Sequence, residues 1–306
     1  MGGVVEGFVT LGVVIGLGAL LAHVGVLDDH SRVLLSRISF FVASPALMVT
    51  VLGHADVAAV LSRPLVASAA GVLVSASLYA LTARLVLHHD LADAVVGTLG
   101  SSYVNAGNLG LPVAAYVLGD AAWVAPTLLL QLLVLQPVAL ALLDHATSGR
   151  RFSPLRALSR PATNPLTVGS VLGLVLAVTG LRLPGVVRDP LELVGGMAVP
   201  AMLIAYGVSL RSGRGGHASS RGEVAWIAVL KLFAQPVTAY VVGRFLLGLD
   251  HAGLLAVTVI AGLPTAQNIF VHATRYGRGE VVARDAIFVT TLASVPVLLL
   301  VAAVLG

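Results

Sequence analysis

The sequence predicts an all-α integral membrane protein: ten transmembrane helices arranged as two inverted five-helix repeats. Three observations carry this: a composition suited to lipid, about ten apolar stretches of spanning length, and prolines that recur at half-chain spacing. Hydrophobic residues fill 58% of 306 positions and charged residues 10%. The mean hydropathy is +0.98, outside the range of a water-soluble domain. A hydrocarbon core of roughly 30 Å takes about 20 apolar residues to cross. Stretches of that size run from Val4 to Leu27, Val33 to Gly53, Pro64 to Leu87, Ala94 to Leu118 and Ala122 to Leu143. After a polar loop they resume from Pro165 to Leu181, Leu191 to Leu210, Val224 to Leu249, Ala252 to Tyr276 and Val281 to Leu305.

The first stretch lacks a basic leader and an A-x-A-like cleavage site, so it reads as a permanent helix. Cysteine is absent, which excludes disulfides, thiolate catalysis and Cys-ligated metals. In a soluble protein a net charge of +4 would suggest nucleic acid. Here basic residues at cytoplasmic loops account for it, and no nucleic-acid partner is expected.

With the N-terminus outside, one set of loops collects Arg32, Arg37, Arg84, Arg150, Arg151, Arg156, Arg160, Arg211, Arg214, Arg221, Arg275, Arg278 and Arg284. The opposite set holds Arg63, Arg182, Arg188 and Arg244. The positive-inside bias therefore puts both termini outside a cell membrane. Pro45 and Pro200 are 155 positions apart, Pro112 and Pro264 are 152 apart, and Pro137 and Pro296 are 159 apart. Each pair joins span n to span n+5. An odd number of spans per repeat makes the second copy enter from the opposite side, as in transporters built from inverted halves. The expected domains are residues 1–144, a cytoplasmic basic loop at 145–164, and residues 165–306.

The fourth span carries the run Ser101-Ser102-Tyr103-Val104-Asn105-Ala106-Gly107-Asn108-Leu109-Gly110-Leu111-Pro112, which lipid alone would not tolerate. At about 1.5 Å per residue, Asn105 and Asn108 fall near the midplane. Pro112 removes a backbone donor and crowds the Asn108 carbonyl. The ninth span has Pro264 at similar depth, followed by Thr265, Ala266, Gln267 and Asn268. Backbone groups freed in lipid must be met by protein or by water in a cavity, so paired breaks predict an enclosed polar site. Half-helix N-termini aimed at it would favour an anion. The competing reading is that Gly107 and Gly110 permit close packing while the asparagines tie helices together.

In the fifth span Gln131 and Gln136 lie about 140° apart round an α-helix, so one or the other is expected to face the site. Lys231 is a formal charge deep in a span, and an intramembrane lysine is a functional candidate. It could neutralise a substrate carboxylate or snorkel to the interface. No carboxylate lies deep in any span, which disfavours proton exchange through a buried acid pair. His23, His54 and His272 sit toward span ends and read as interfacial. No H-E-x-x-H, G-x-S-x-G or P-loop is present, so neither enzyme chemistry nor a cofactor or metal is expected.

Three motifs together resemble the auxin efflux carrier family, which includes bacterial malonate and malate permeases. They are Asn105-x-Gly107-Asn108-x-Gly110-x-Pro112, then Gln131 with Val134-Leu135-Gln136, and Leu263-Pro264-Thr265-Ala266 followed by Tyr276-Gly277. The resemblance implies a fold similar to bile acid sodium symporters, with spans four and nine crossing at their prolines. Spans one, two, six and seven would form a scaffold. Spans three to five and eight to ten would form a mobile transport domain. It further implies a secondary carrier of a small carboxylate by elevator-like movement, with a coupling proton or sodium ion and a homodimeric assembly. Asn105, Asn108, Gly107, Pro112, Gln131, Gln136, Pro264, Thr265, Gln267 and Asn268 would line its site. Lys231 would be a charge partner or would stand in for a cation. A sodium symporter of amphipathic anions and an anion channel or sensor are the alternatives.

Overall fold

The computed structural model describes residues 2–54, 62–110, 113–114, 117–119, 121–147, 165–212 and 221–305. Most of the expected basic loop, with its four arginines, together with Pro112 and Arg214, lies outside the described residues.

Helix α1 is Gly2–His23. Helix α2 starts on the Asp28 cap, whose carboxylate accepts from the Ser31 N–H, and comprises Asp29–Ile38, a π turn Ser39–Ala43 and Ser44–Gly53. Helix α3 is Arg63–Leu85 and α4 is Leu91–Ser102. A π turn at Ala106–Gly110 follows. Helix α5 joins a 3-10 turn Ala121–Val124 to Ala125–Leu130, a π turn Gln131–Leu135 and Gln136–Thr147. Helix α6 is Pro165–Thr179, and α7 is Gly185–Gly196 continued by Ala198–Ser212. Helix α8 contains Arg221–Val229, Leu230–Ala234, Gln235–Val241 and Val242–Leu246. Helices α9, α10 and α11 are His251–Ala261, Asn268–Tyr276 and Glu280–Leu305.

Among the described residues every regular element is helical. Five stretches, Asp29–Thr50, Arg63–Leu85, Gly185–Ser209, Arg221–Leu246 and Glu280–Leu305, are long and apolar enough to cross a bilayer. Their outer faces carry exposed Leu73, Leu81, Phe245 and Leu292, which water would penalise and lipid accepts. The chain is a multi-pass membrane protein.

Three π turns sit directly before prolines. Ser44, Gln136 and Gln235 each donate five residues back, to the carbonyls of Ser39, Gln131 and Leu230, and each is followed by a proline. A proline ring clashes with the carbonyl four residues earlier and cannot donate to it. The wider turn moves that carbonyl aside, so the helix continues where it would otherwise break.

Helix α1 lies along the second half of α7, and α6 lies along α2. Both contacts are close because glycine is there: a Cβ on Gly207 would overlap the Ile15 carbonyl, and one on Gly169 would overlap the Pro45 carbonyl. The other helices pack round α4 and α9, with α3 against α4 and α8, α5 against α4, and α11 against α8 and α9. At one end of the molecule Arg32 pairs with Glu280 at 2.9 Å, Arg278 pairs with Asp93 and Asp90, and His89 approaches Glu223. At the other end Arg63 reaches the Leu247 carbonyl.

Candidate functional site

Helix α4 starts on the Asp90 carboxylate, which accepts from the Asp93 N–H, and α9 starts on Asp250, which accepts from the Gly253 N–H. Both helices stop after about three turns, at Ser102 and Ala261. A short extended stretch follows each, directly at Tyr103 and after a turn at Gly262 and Leu263, and the two stretches meet. The Asn105 N–H donates to the Pro264 carbonyl at 2.8 Å, the Ala266 N–H donates to the Tyr103 carbonyl at 3.1 Å, and Val104 faces Thr265 in an antiparallel bridge. The first break therefore lies at Tyr103 to Asn105, upstream of where the Pro112 argument placed it.

Inside a bilayer each freed backbone group needs a partner, and most can be traced here. Gln131 clamps Val104: its Oε1 accepts from the Val104 N–H at 2.7 Å and its Nε2 donates to the Val104 carbonyl at 3.0 Å. The amide thereby imitates a neighbouring strand. Gln235 Nε2 donates to the Ser102 carbonyl at 3.1 Å, and Thr265 Oγ1 donates to the Gly100 carbonyl at 2.5 Å. The Thr265 N–H goes to Thr290 Oγ1 at 3.1 Å. Pro264 has no N–H for the Ile260 carbonyl, which accepts from Leu263 instead. Lys231 Nζ donates to the Ala261 carbonyl at 2.8 Å, at the negative end of α9.

One face of the crossing opens on a cavity of about 90 Å³, several times the roughly 10–15 Å³ that one water requires. Asn105, Gly107, Gln131, Gln136, Gln267 and Asn268 line it together with Tyr103 and His272; α2 and α7 close it with Phe40, Ser44, Met48, Ala198 and Met202. The structure brings both glutamines of α5 to the same cavity, against the α-helical spacing argument. The π turn between them adds the residue that realigns them, with the Gln136 N–H bonded to the Gln131 carbonyl. Gln136 Oε1 accepts from Tyr103 Oη at 3.2 Å and from Asn268 Nδ2 at 3.4 Å. Gly107 faces open space, for a Cβ there would meet no described atom within 4 Å. Gly110 is packed, for a Cβ there would lie 2.7 Å from Val124 Cγ2. The packing account thus suits Gly110 and not Gly107.

Pro264 and Thr265 build the crossing without lining the cavity, and Lys231 stands behind it, 0% exposed, against α9. The Asn108 side chain and Pro112 lie outside the described residues. His272, read as interfacial, is 2% exposed, with its ring edge-on to Phe40 at 6.0 Å. Gln235, Thr290 and His272 were not singled out from sequence as site residues. The Gln-Pro pair of α8 duplicates that of α5 and could have revealed Gln235; nothing marks Thr290 in its apolar run. Among the described residues no group of three His, Asp or Glu could hold a metal ion.

A helical membrane protein with a cavity edged by amides where two interrupted helices meet has the form of a transporter. The chain belongs to the membrane transport protein family, that of the auxin efflux carriers, whose profile matches residues 4–143 and 151–302. It is 27% identical over 214 residues to the "Putative malonate transporter" of Rhizobium meliloti, covering 68% of this chain and 66% of that one. It is 27% identical over 287 residues to an "Uncharacterized transporter" of Methanothermobacter thermautotrophicus, covering 92% of both. Against the "Probable auxin efflux carrier component 5c" of Oryza sativa it is 32% identical over 149 residues, 47% of this chain and 40% of that one. The match thus spans just under two thirds of the Rhizobium protein's length.

Proposed function

We propose that this protein is a secondary carrier of a small organic carboxylate, working by elevator-like alternating access in a prokaryotic cell membrane. The observation that carries the reading is the shared cavity at the crossing. Its walls combine apolar side chains such as Phe40, Met48 and Met202 with amides, one phenol and one imidazole, and among the described residues no carboxylate lines it, so an anion entering it meets donors and no like charge. The resemblance to a protein named for malonate points to the same substrate class.

Several features support two inverted repeats, residues 1–144 and 165–306. Asp90 and Asp250 cap matching half-helices, the breaks meet residue for residue, and α1 packs on α7 as α6 packs on α2. In this reading α1, α2, α6 and α7 are the scaffold, and the cavity lies on the sliding boundary. Lys231 is a built-in cation: its ammonium holds the carbonyl end of α9, where a helix terminus attracts positive charge.

The test is uptake of labelled malonate and related mono- and dicarboxylates into proteoliposomes. Wild type should saturate. Asn105→Ala and Asn268→Ala should each cut transport at least about tenfold, the equivalent of one lost hydrogen bond of ~1.4 kcal/mol, while melting like wild type. Undiminished transport by both variants would remove the cavity from the transport path.

A further inference from the structure

The cavity holds a histidine whose chemistry the carrier reading leaves unused. His272 lies on α10, one turn beyond Asn268, and is 2% exposed. Among the described residues neither of its ring nitrogens has a hydrogen-bond partner, and nor does Asn268 Oδ1. A buried imidazole with neither nitrogen met is costly, and it is tolerated where a ligand or proton supplies the missing bonds. Phe40 packs edge-on to the ring, with planes 89° apart, holding it in the cavity wall.

Among the described residues, the charged groups on the elements packed round α10 lie outside the cavity lining. Arg275, on the same helix, lies over the rings of Phe40 and Phe41. From α2, Arg32 is paired with Glu280 and Asp29, and Arg37 lines a separate small cavity with Thr274. From α4 and the preceding turn, Asp93 and Asp90 hold Arg278. From α5, Asp144 accepts from Tyr276 Oη; from α7, Tyr206 packs on Phe270 and its Oη donates to the Arg284 carbonyl; from α11, Asp285 pairs with Arg284. None of these lines the cavity, whose other titratable group, Tyr103, is bonded to Gln136.

We propose that His272 couples substrate to proton: it takes up one proton from the medium as the carboxylate enters, and anion and proton cross together. The imidazolium so formed donates one N–H to the carboxylate and can give the other to Asn268 Oδ1. Both orphaned ring nitrogens and the orphaned amide oxygen are then satisfied, and no isolated charge is left buried. On release the ring returns its proton to water and becomes neutral again. The inference rests on the carboxylate reading above.

The test is titration calorimetry of the purified full chain with malonate, in two buffers of different ionisation heat, between pH 6.5 and 8.5, where malonate is fully ionised over most of the range. Wild type should take up close to one proton per anion, and its Kd should rise toward about tenfold per pH unit at the alkaline end. His272→Gln and His272→Asn should bind with no proton uptake and no pH dependence; using both guards against misfolding of either. Binding by wild type without proton uptake, or proton uptake that survives in a folded variant, would overturn the assignment of His272 and leave the carrier reading standing. No binding of any tested mono- or dicarboxylate by wild type would overturn both.

Discussion

At the first break the carbonyls that end α4 are met by neutral donors, Thr265 Oγ1 on Gly100 and Gln235 Nε2 on Ser102. At the second, the carbonyl of Ala261 that ends α9 is met by Lys231 Nζ. The deficit is the same: each helix C-terminus leaves carbonyls unpaired and partly negative. The difference teaches what each half is free to do. With the end of α4 met by neutral donors, the chain just beyond it is left to the cavity, where Asn105 and Gly107 line the wall. The lysine that serves α9 sits on the far side of the crossing, where it ties α8 to α9 and contributes nothing to the cavity wall.

The sharpest way to break this contrast is to reverse the charge behind α9. Lys231→Glu would bury a carboxylate against a carbonyl at a helix C-terminus, and an uncompensated buried charge costs about 3–5 kcal/mol. The protein should fail to purify as a monodisperse species in detergent. Lys231→Met should behave differently, because the loss of one bond, about 1–3 kcal/mol, is offset by relief of the ammonium's own desolvation. If Lys231→Glu melts with wild type, the ammonium does not hold the end of α9.

The α4 side can be broken by removing its amide clamp. Gln131→Leu leaves the Val104 N–H without its partner and weakens the bonding of the Val104 carbonyl, at about 1–3 kcal/mol for a buried unmet group. Thr265→Val removes one hydroxyl donor from Gly100 and should cost less, about 1 kcal/mol. Melting temperatures in one detergent should therefore fall in the order wild type, Thr265→Val, Gln131→Leu. The reverse order would mean that the glutamine serves substrate and not the backbone.

How far this site could be read from sequence depends on which residues announce themselves. The apolar stretches and the paired prolines are written in composition, because lipid imposes them on the whole chain. Asn105, Gln131 and Asn268 stood out because amides are costly in lipid. The convergence of Gln131 and Gln136 was not legible, because it depends on a π turn that α-helical spacing cannot express. His272 was misread for a similar reason. Its distance from the end of the apolar run suggested an interface, whereas the break before Asn268 and the packing of α2 and α5 round α10 enclose it. Thr290 gave no signal, since a lone hydroxyl in an apolar run usually bonds its own helix. It does so here as well, donating to Ala286 while accepting from Thr265.

The N-terminal ends of the two half-helices give the mildest test of their difference. Asp90 and Asp250 are both caps, but Asp90 also meets Arg278, and among the described residues no arginine pairs with Asp250. The Asp93 N–H first, and Arg278 with it, hold the Asp90 carboxyl below its usual range. Either Asp→Ala change should cost about 1 kcal/mol at pH 7 through the lost cap; the exposed ion pair adds little. The pH dependence of the Asp90 penalty has a definite sign. A carboxyl whose folded value is depressed stabilises fully above its unfolded value, near 3.9, and loses that contribution as pH falls through the folded value. The gap in melting temperature between wild type and Asp90→Ala should thus be constant above about pH 5 and close progressively below pH 4. A gap that widens on acidification would show that the arginine, and not the carboxylate, carries the stability of this corner.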